Sequence, residues 1–388
     1  MDENKQNKRP NVPPLRFPEF TDEWKRKKVS DILDFYSTNS LSWDQLEFAG
    51  GELRNLHYGM IHVGLPTLVD LAENELPNIK KDNMPKNYEL CVDCDIAFAD
   101  ASEDTNDVAK AIELINTNGQ QVVFGLHTIH GRDNKGWTAK GFKGYAFASK
   151  VFHDQIKRIA QGTKIFSINS KNFAECYIGL PSFQEQEKIA HLLSIIDRRI
   201  AVQSKLIEDL QQLKSAICKK LLSHSSWNEY IIDDICDSVS FKEYIAEVEE
   251  NGSFPIIQQG ETPILGYGNK KPYYNYNSVI IFGDHTLSLY KPQVPFLVAT
   301  DGVKMLSPKP FVTRDFLYYL IETFMPISQG YKRHFSILKE QIVRLPSLKE
   351  QTIIGKRLSL LDTKIRIEQQ LYDCYISQKQ YLLGQMFI

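Results

Sequence analysis

Apolar residues recur at alternating spacings of four and three from Ser182 to Leu222, which is the pattern of a heptad seam on a long helix. The same ladder returns from Ser347 to Phe387, with its polar interruptions at matching positions. The seam positions that carry this prediction are Ile189, Leu193, Ile196, Ile200, Ile354, Leu358, Leu361 and Ile365. Helices of this length run about 60 Å, too long for the core of a small domain. The pattern therefore predicts that the two helices pair as an intramolecular antiparallel coiled coil.

Both predicted helices begin in the same way. Each opens on Leu-Pro-Ser, and a glutamate follows three residues after the serine, as Glu185 after Ser182 and Glu350 after Ser347. Ser-x-x-Glu is a capping box, in which each side chain accepts a hydrogen bond from a free amide at the helix start. We therefore expect the helices to begin at these serines.

A second repeat introduces the segments between the helices. Trp24, Val29 and Ile32 match Trp227, Ile232 and Ile235 in order and spacing. Short apolar runs at residues 95–100, 121–125, 279–283 and 296–299 predict strands, whereas residues 105–116 and 313–324 predict helices. Strands and helices follow no regular strand-helix-strand period, so the fold class is α+β, with two mixed α/β domains in a pseudo-two-fold repeat.

The chain accordingly divides into five parts. These are an N-terminal arm over 1–22, a first globular domain over 23–181, a spacer helix over 182–223, a second globular domain over 224–346 and a second spacer helix over 347–388. The arm is polar and rich in proline, so we expect it to be flexible or extended. The order reads as a tandem duplication whose globular halves have diverged.

Composition indicates the cellular compartment of the protein more clearly than the chemistry that it performs. The formal net charge is -2 and the charged fraction is 24%, so no global charge attracts a polyanion. The six cysteines form no disulfide framework, and no signal peptide or long apolar span is evident. We expect a cytoplasmic protein without contact to a membrane.

No motif predicts an active site. The glycines around Gly131 and Gly136 have the spacing of a phosphate loop, but Trp137 stands where the lysine belongs. A buried cysteine pair is favoured over a zinc site for Cys91 and Cys94, since no second ligand pair lies nearby in sequence. We expect no metal in this chain.

Residues that could bind a polyanion are more evident than active-site motifs. Lysines and arginines outnumber acids over residues 131–164, and aromatic residues lie between them. Lysine and arginine bind phosphates, whereas arginine, histidine and polar loop residues read base edges. The candidate DNA contacts are His127, Arg132, Lys135, Lys140, Lys143, Lys164, Lys270, Lys271, Tyr273, His285, Lys291, Lys332, Arg333 and His334. The alternative is that these charges only solubilise a half-buried sheet.

The whole chain resembles the specificity subunits of type I restriction-modification systems. The resemblance rests on two Leu-Pro-Ser-x-x-Glu-Gln helix starts, on Leu-Ser-x-x-Asp at 193–197 and 358–362, and on Phe-Gly-Asp-His-Thr at 282–286 followed by Asp-Gly-Val-Lys at 301–304. It implies two target-recognition domains held apart by the helices, each reading one half of a gapped double-stranded DNA site.

The resemblance also implies partners and a division of labour. Two modification subunits would methylate adenine with S-adenosylmethionine, and restriction subunits would translocate and cut DNA with ATP and Mg²⁺. This chain would be non-catalytic and hold none of these cofactors, and its spacer helices would carry the docking surface. Two other classes stay open, a stand-alone metal-dependent nuclease using Asp100 or Asp284 and a coiled-coil scaffold that does not bind DNA.

Overall fold

The structure is a computed structural model that describes residues 11–300, 302–330 and 332–388. It divides into two compact units. Unit 1 runs up to Gln203 and includes Tyr372–Ile388, and unit 2 is Ser204–Leu371. The expectations for the first ten residues, for Asp301 and for Tyr331 lie outside the described part of the chain.

The first globular segment is built from short strands and short helices. In chain order they are β1 (Lys25–Lys28), α1 (Val29–Ile32), β2 (Asp34–Tyr36), β3 (Leu46–Glu47), β4 (Leu53–Leu56), α2 (Tyr58–His62), β5 (Leu68–Asp70), β6 (Asn78–Ile79), β7 (Ile96–Ala99), β8 (Ala101–Ser102), β9 (Ala111–Ile115), β10 (Gln121–Phe124), β11 (Thr128–Arg132), α3 (Phe142–Phe147), α4 (Lys150–Ile159), β12 (Phe166–Ser167), α5 (Ser170–Ala174) and β13 (Tyr177–Leu180). The first long helix, α6 (Phe183–Leu222), follows directly.

The second globular segment is shorter. Its elements are β14 (Asn228–Ile231), α7 (Ile232–Ile235), β15 (Cys236–Val239), β16 (Phe254–Ile257), β17 (Ile264–Gly268), β18 (Ile280–Gly283), β19 (Leu289–Tyr290), β20 (Leu297–Val298), β21 (Val303–Pro308), α8 (Arg314–Thr323), α9 (Phe335–Lys339) and β22 (Ile342–Leu345). The second long helix, α10 (Leu348–Gln385), completes the series.

The two units share an arrangement of strands, a trio and a pair, which we call the frame. Unit 1 has a five-stranded sheet in the order β2-β11-β7-β9-β5 and a four-stranded sheet in the order β10-β4-β6-β3. Unit 2 has a four-stranded sheet in the order β15-β21-β18-β19 and a three-stranded sheet in the order β17-β16-β20. Three antiparallel strands recur, since β2-β11-β7 has the same connectivity as β15-β21-β18. The strand before each long helix also pairs with the strand that opens its globule, as β1-β13 and β14-β22.

The two long helices run antiparallel, as the packing inside each unit shows. In unit 1 the first turns of α6 share a core with the last turn of α10 and the residue after it, through Ile189 and Leu193 together with Leu382 and Met386. In unit 2 the end of α6 shares a core with the start of α10, through Cys218 and Leu222 against Ile354 and Leu358. Both cores also include residues of the globules, so each seam is buried against the globule as well as the other helix.

The polar interruptions of the two ladders have a structural reason. Lys379 lies 2.6 Å from Asp197 within unit 1, and Lys214 lies 2.7 Å from Asp362 within unit 2. A tyrosine hydroxyl donates to each aspartate, Tyr145 to Asp197 at 2.8 Å and Tyr319 to Asp362 at 2.6 Å. Each lysine thus carries its charge into a partly buried seam because an aspartate of the other helix neutralises it.

The predicted capping boxes differ between the helices. At α10 the Glu350 carboxylate accepts from the Ser347 backbone N–H at 3.1 Å, and the Ser347 hydroxyl accepts from the Glu350 N–H at 3.4 Å. At α6 only the serine half forms, because Arg16 donates two hydrogen bonds of 2.7 Å to the Glu185 carboxylate. Residues 11–22 of the predicted arm are therefore anchored, and Glu185 joins them to the helix start.

The prediction of α+β architecture with two domains and a helix pair is confirmed. The helix predicted over residues 313–324 is present as α8. The helix predicted over residues 105–116 is wrong, because residues 111–115 form β9, which lies between β7 and β5 in the five-stranded sheet. Among the described residues, no helix is both long enough and apolar enough to cross a bilayer.

Candidate nucleic-acid interface

The basic residues predicted for unit 1 do not all reach the surface. His127, Lys135, Lys140 and Lys164 are exposed. The guanidinium of Arg132 is largely buried, stacks 4.3 Å from the Tyr36 ring centre and forms ion pairs with Asp95 and Glu89. These hydrogen bonds raise the pKa of Arg132 above its ordinary value. Arg132 therefore stabilises the end of β11. The exposed lysines are the groups that can contact phosphate.

Lys143 lies in the interior of unit 1. Its side chain is 1% exposed, and its ammonium lies 3.0 Å from the Glu113 carboxylate. Glu113 also accepts hydrogen bonds from the Gly141 and Gly144 backbone N–H groups, at 2.9 and 2.8 Å. The lysine thus neutralises a carboxylate that holds the start of α3, and a contact with DNA would require this pair to open.

The unit 2 candidates divide in a similar way. Lys270, Lys271, Lys332 and Arg333 are exposed, whereas Tyr273 and His285 are partly buried. Lys291 is partly buried and lies 2.8 Å from Asp315. DNA contact stays a prediction for all of these residues.

His334 is fully buried in unit 2. Its Nε2 accepts a hydrogen bond from the Gln329 backbone N–H at 3.0 Å, and its Nδ1 lies 3.1 Å from the Asp284 carbonyl oxygen. The imidazole therefore joins two loops of the protein, and its ring nitrogens are already used.

An aromatic surface in unit 1 escaped the sequence-based prediction. The indole of Trp43 contacts Phe48 and His57, with ring centres 6.3 and 5.4 Å apart, and His57 contacts Tyr58 at 4.6 Å. Tyr58 in turn contacts His127 at 5.2 Å. Trp43 and Phe48 are 49% and 56% exposed, so they contribute little to a core. The available signal was two aromatic residues within a polar stretch that has no apolar period.

One group of side chains is close enough to hold a metal among the described residues, namely Cys91, Asp95 and His130, with donor atoms within 4.8 Å. Burial acts to raise the pKa of Asp95, but hydrogen bonds from Arg132 and His130 hold it below its ordinary value. Burial raises the pKa of the Cys91 thiol, which disfavours the thiolate. A guanidinium already neutralises Asp95, so the trio fits a buried hydrogen-bond cluster better than a cation site. Asp100 and Asp284, proposed for the nuclease alternative, belong to no such group in the described chain.

The seam residues of the spacer helices face the interior. Ile189, Leu193 and Ile196 are buried in unit 1, and Ile354 and Leu358 are buried in unit 2. The remaining three, Ile200, Leu361 and Ile365, are partly buried. The opposite side of the helices carries exposed apolar residues instead, among them Ile195, Val202, Leu360 and Ile367.

Comparison with known proteins gives a consistent result. The family described as type I restriction modification DNA specificity domain matches residues 21–212 and again residues 224–373. A type I specificity subunit of Mycoplasma pneumoniae is 27% identical over 270 residues, which cover 62% of this chain and 71% of that protein. A type I restriction enzyme specificity subunit of Methanocaldococcus jannaschii is 22% identical over 407 residues, covering 94% and 92%. The crystal structure of the type I restriction-modification S subunit from M. genitalium has the same fold, with a TM-score of 0.61 at 17% identity, covering 97% of this chain and 99% of that one.

Proposed function

The chain belongs to the family of type I restriction-modification specificity subunits, and on that premise we propose that each of its units reads one half of a gapped double-stranded DNA site in the cytoplasm. Unit 1 and unit 2 would act as the two target-recognition domains. The antiparallel helix pair joins them in one chain, so both halves of the site are bound by one molecule.

One observation carries this proposal, the repetition of the frame with different surfaces. The strand trio β2-β11-β7 recurs as β15-β21-β18, and the pair β1-β13 recurs as β14-β22. The side chains on the two frames differ at an equivalent position, since the exposed His127 directly precedes β11 whereas Gly302 directly precedes β21. Two copies of one chemistry would keep their side chains, whereas two readers of different sequences must change them.

We assign the chemistry to partner subunits. In this proposal two modification subunits methylate adenine with S-adenosylmethionine, and restriction subunits use ATP and Mg²⁺ to translocate and cut DNA. The present chain contributes DNA sequence recognition and a docking surface. The exposed face of the long helices supports two equivalent docking positions, because Ile195 and Val202 on α6 recur as Leu360 and Ile367 on α10.

A domain exchange tests the proposed function. Residues 224–346 are replaced by the corresponding segment of a relative with a different target, and methylated adenines are mapped in DNA from cells that also carry the modification subunit. We expect one half of the methylated sequence to change and the other to persist. An exchange of residues 23–181 is the matched control and should change the other half. Identical methylation sites after both exchanges would disprove the proposal.

A further inference from the structure

One aspartate occupies the same backbone position in both units. In unit 1 the N–H of Asp100 donates to the His127 carbonyl at 3.1 Å, and the Asp100 carbonyl accepts from the Ile168 N–H at 2.9 Å. In unit 2 the N–H of Asp284 donates to the Gly302 carbonyl at 2.8 Å, and its carbonyl accepts from the His334 N–H at 2.8 Å. Each aspartate directly follows its strand, β7 or β18, and joins two loops. We call these places the aspartate loops of unit 1 and unit 2.

His127 and Gly302 are equivalent in this frame. Each bonds its aspartate through the carbonyl oxygen, and each directly precedes the strand that pairs with β7 or β18, namely β11 or β21. His127 has a φ of 55°, in the left-handed region, which histidine adopts more often than most residues other than glycine. The equivalent position therefore differs in its side chain, because unit 1 has an exposed imidazole there and unit 2 has a glycine.

The aspartate loop of unit 1 carries rings. The exposed His127 imidazole lies 3.2 Å from an Asp100 oxygen and packs edge-on against Tyr58. The ring contacts continue through His57 to Trp43 and Phe48. Exposed rings of this kind contact the methyl group of thymine in the major groove, and the imidazole can hydrogen-bond a base edge.

The aspartate loop of unit 2 carries hydroxyl and amide groups. An added Cβ at Gly302 would lie 2.5 Å from Gln259 Nε2, so the glycine leaves room for this amide. Gln259 Oε1 accepts from the His285 N–H at 3.0 Å, and the Thr286 and Ser288 hydroxyl oxygens lie 2.9 Å apart. An open pocket beside them is lined by His285, Thr286 and Ser288. Such groups donate to and accept from base edges in the major groove.

We propose, resting on the proposed function, that the aspartate loops are the base-reading surfaces of the two units. Trp43, Phe48, Tyr58 and His127 read one half-site chiefly through rings and apolar contacts. Gln259, His285, Thr286 and Ser288 read the other half-site through hydrogen bonds. The exposed lysines contact phosphates and contribute affinity without selecting the sequence.

The test selects binding sites from a random pool of duplex DNA with the full-length chain bound to its modification subunits. His127→Gly removes the imidazole and suits the backbone, so the variant should fold. Asn118→Gly is its matched control, because Asn118 also has a positive φ of 51° and is exposed in unit 1. Trp43→Ala is matched by Trp137→Ala, and Thr286→Ala by Thr363→Ala on α10.

We expect His127→Gly and Trp43→Ala each to reduce base preference at one half-site by about tenfold or more, and Thr286→Ala to do so at the other. The three controls should select the wild-type sequence. If all six variants select the wild-type sequence while Lys135→Ala changes it, the assignment of the aspartate loops is wrong but the proposed function stands. A wild-type complex that selects no sequence would overturn both proposals.

Discussion

At the scale of single residues, the buried pair of Lys143 and Glu113 makes a clear stability prediction. Lys143→Met leaves the Glu113 carboxylate buried without a cation, so we expect a loss of about 3–5 kcal/mol in the free energy of unfolding. Denaturant unfolding of the purified chain measures it. The second substitution Glu113→Gln should restore part of the loss, because it removes the uncompensated charge.

Lys140→Met is the control for that variant. Lys140 lies 3.3 Å from Asp93, but the two side chains are 46% and 47% exposed. Water screens an exposed pair, so we expect this substitution to cost less than about 1 kcal/mol. Equal losses in Lys140→Met and Lys143→Met would contradict the buried role of Lys143.

His57 makes the stability of unit 1 dependent on pH. Its Nδ1 accepts a hydrogen bond from the Gly59 N–H at 3.1 Å at the start of α2, so the imidazole must stay neutral there. Burial, and then the charge of His127, lower the pKa of His57 in the folded state. The unfolded chain therefore takes up the proton first. This stabilisation is present above the ordinary histidine pKa of about 6.5 and is lost as the pH falls through the lower folded-state pKa.

His57→Asn tests this sign, because asparagine is a good N-cap and does not titrate. We expect the variant to lose less thermal stability than the wild type between pH 7.5 and pH 5.5. Melting temperatures of both proteins across that range provide the measurement. Parallel curves would show that another group governs the acid sensitivity.

At the scale of elements, the lysines in the helix seams differ in what they neutralise. Lys214 lies 2.7 Å from both Asp362 and Glu322, whereas Lys379 has Asp197 as its carboxylate partner within 4 Å in the described structure. Lys214→Met leaves two neighbouring carboxylates without their cation, so we expect it to lower the free energy of unfolding by on the order of 2–3 kcal/mol. Lys379→Met leaves one carboxylate and should lower the free energy of unfolding by less. Lys205→Met, at an exposed ion pair on α6, should leave the stability nearly unchanged, because water screens that pair. Equal losses of thermal stability in Lys205→Met and Lys214→Met would contradict this expected order.

The elements also show how far the sequence could predict the fold. The long helices, their starts at Ser182 and Ser347, and the paired openings at Trp24 and Trp227 follow from periodicity and repetition. The strand at residues 111–115 does not, because the sequence Ala-Ile-Glu-Leu-Ile carries a charge that favours a half-exposed helix. Its Glu113 is compensated by Lys143, a partner distant in the sequence that no local pattern reveals.

The candidate site was predictable in composition but not in placement. Lysines over residues 131–164 predict a basic surface, yet burial assigns Lys143 and Arg132 to ion pairs inside unit 1. The rings of Trp43 and His127 belong to one series of ring contacts, through His57 and Tyr58, that only the fold creates, because their segments are far apart in the chain. Charge counts therefore indicate phosphate binding, while base reading depends on loops brought together by the sheets.

At the scale of the whole molecule, the exposed lysines should set the salt dependence of DNA binding. Each phosphate contact makes the negative slope of log K against log salt concentration steeper by about 0.9. We expect Lys135→Ala combined with Lys164→Ala to make the slope shallower by about 2, and Lys270→Ala combined with Lys271→Ala to do the same. Affinities of the full complex for its methylation site from low to physiological salt test this. A slope that stays unchanged when all four lysines are replaced by alanine would show that other groups contact the phosphates.

The two lysine-aspartate contacts of the long helices carry a consequence for the symmetry of the chain. Lys214 of α6 binds Asp362 of α10, and Lys379 of α10 binds Asp197 of α6, so the two helices exchange roles at equivalent positions of the repeat. Two identical half-length chains, each with one globule and one helix, would form both contacts by meeting face to face. The two helices of one polypeptide thus repeat the two-fold exchange of contacts that defines a homodimer interface. Because the globules lie outside these contacts, a substitution in one globule can alter its surface without changing either lysine-aspartate pair.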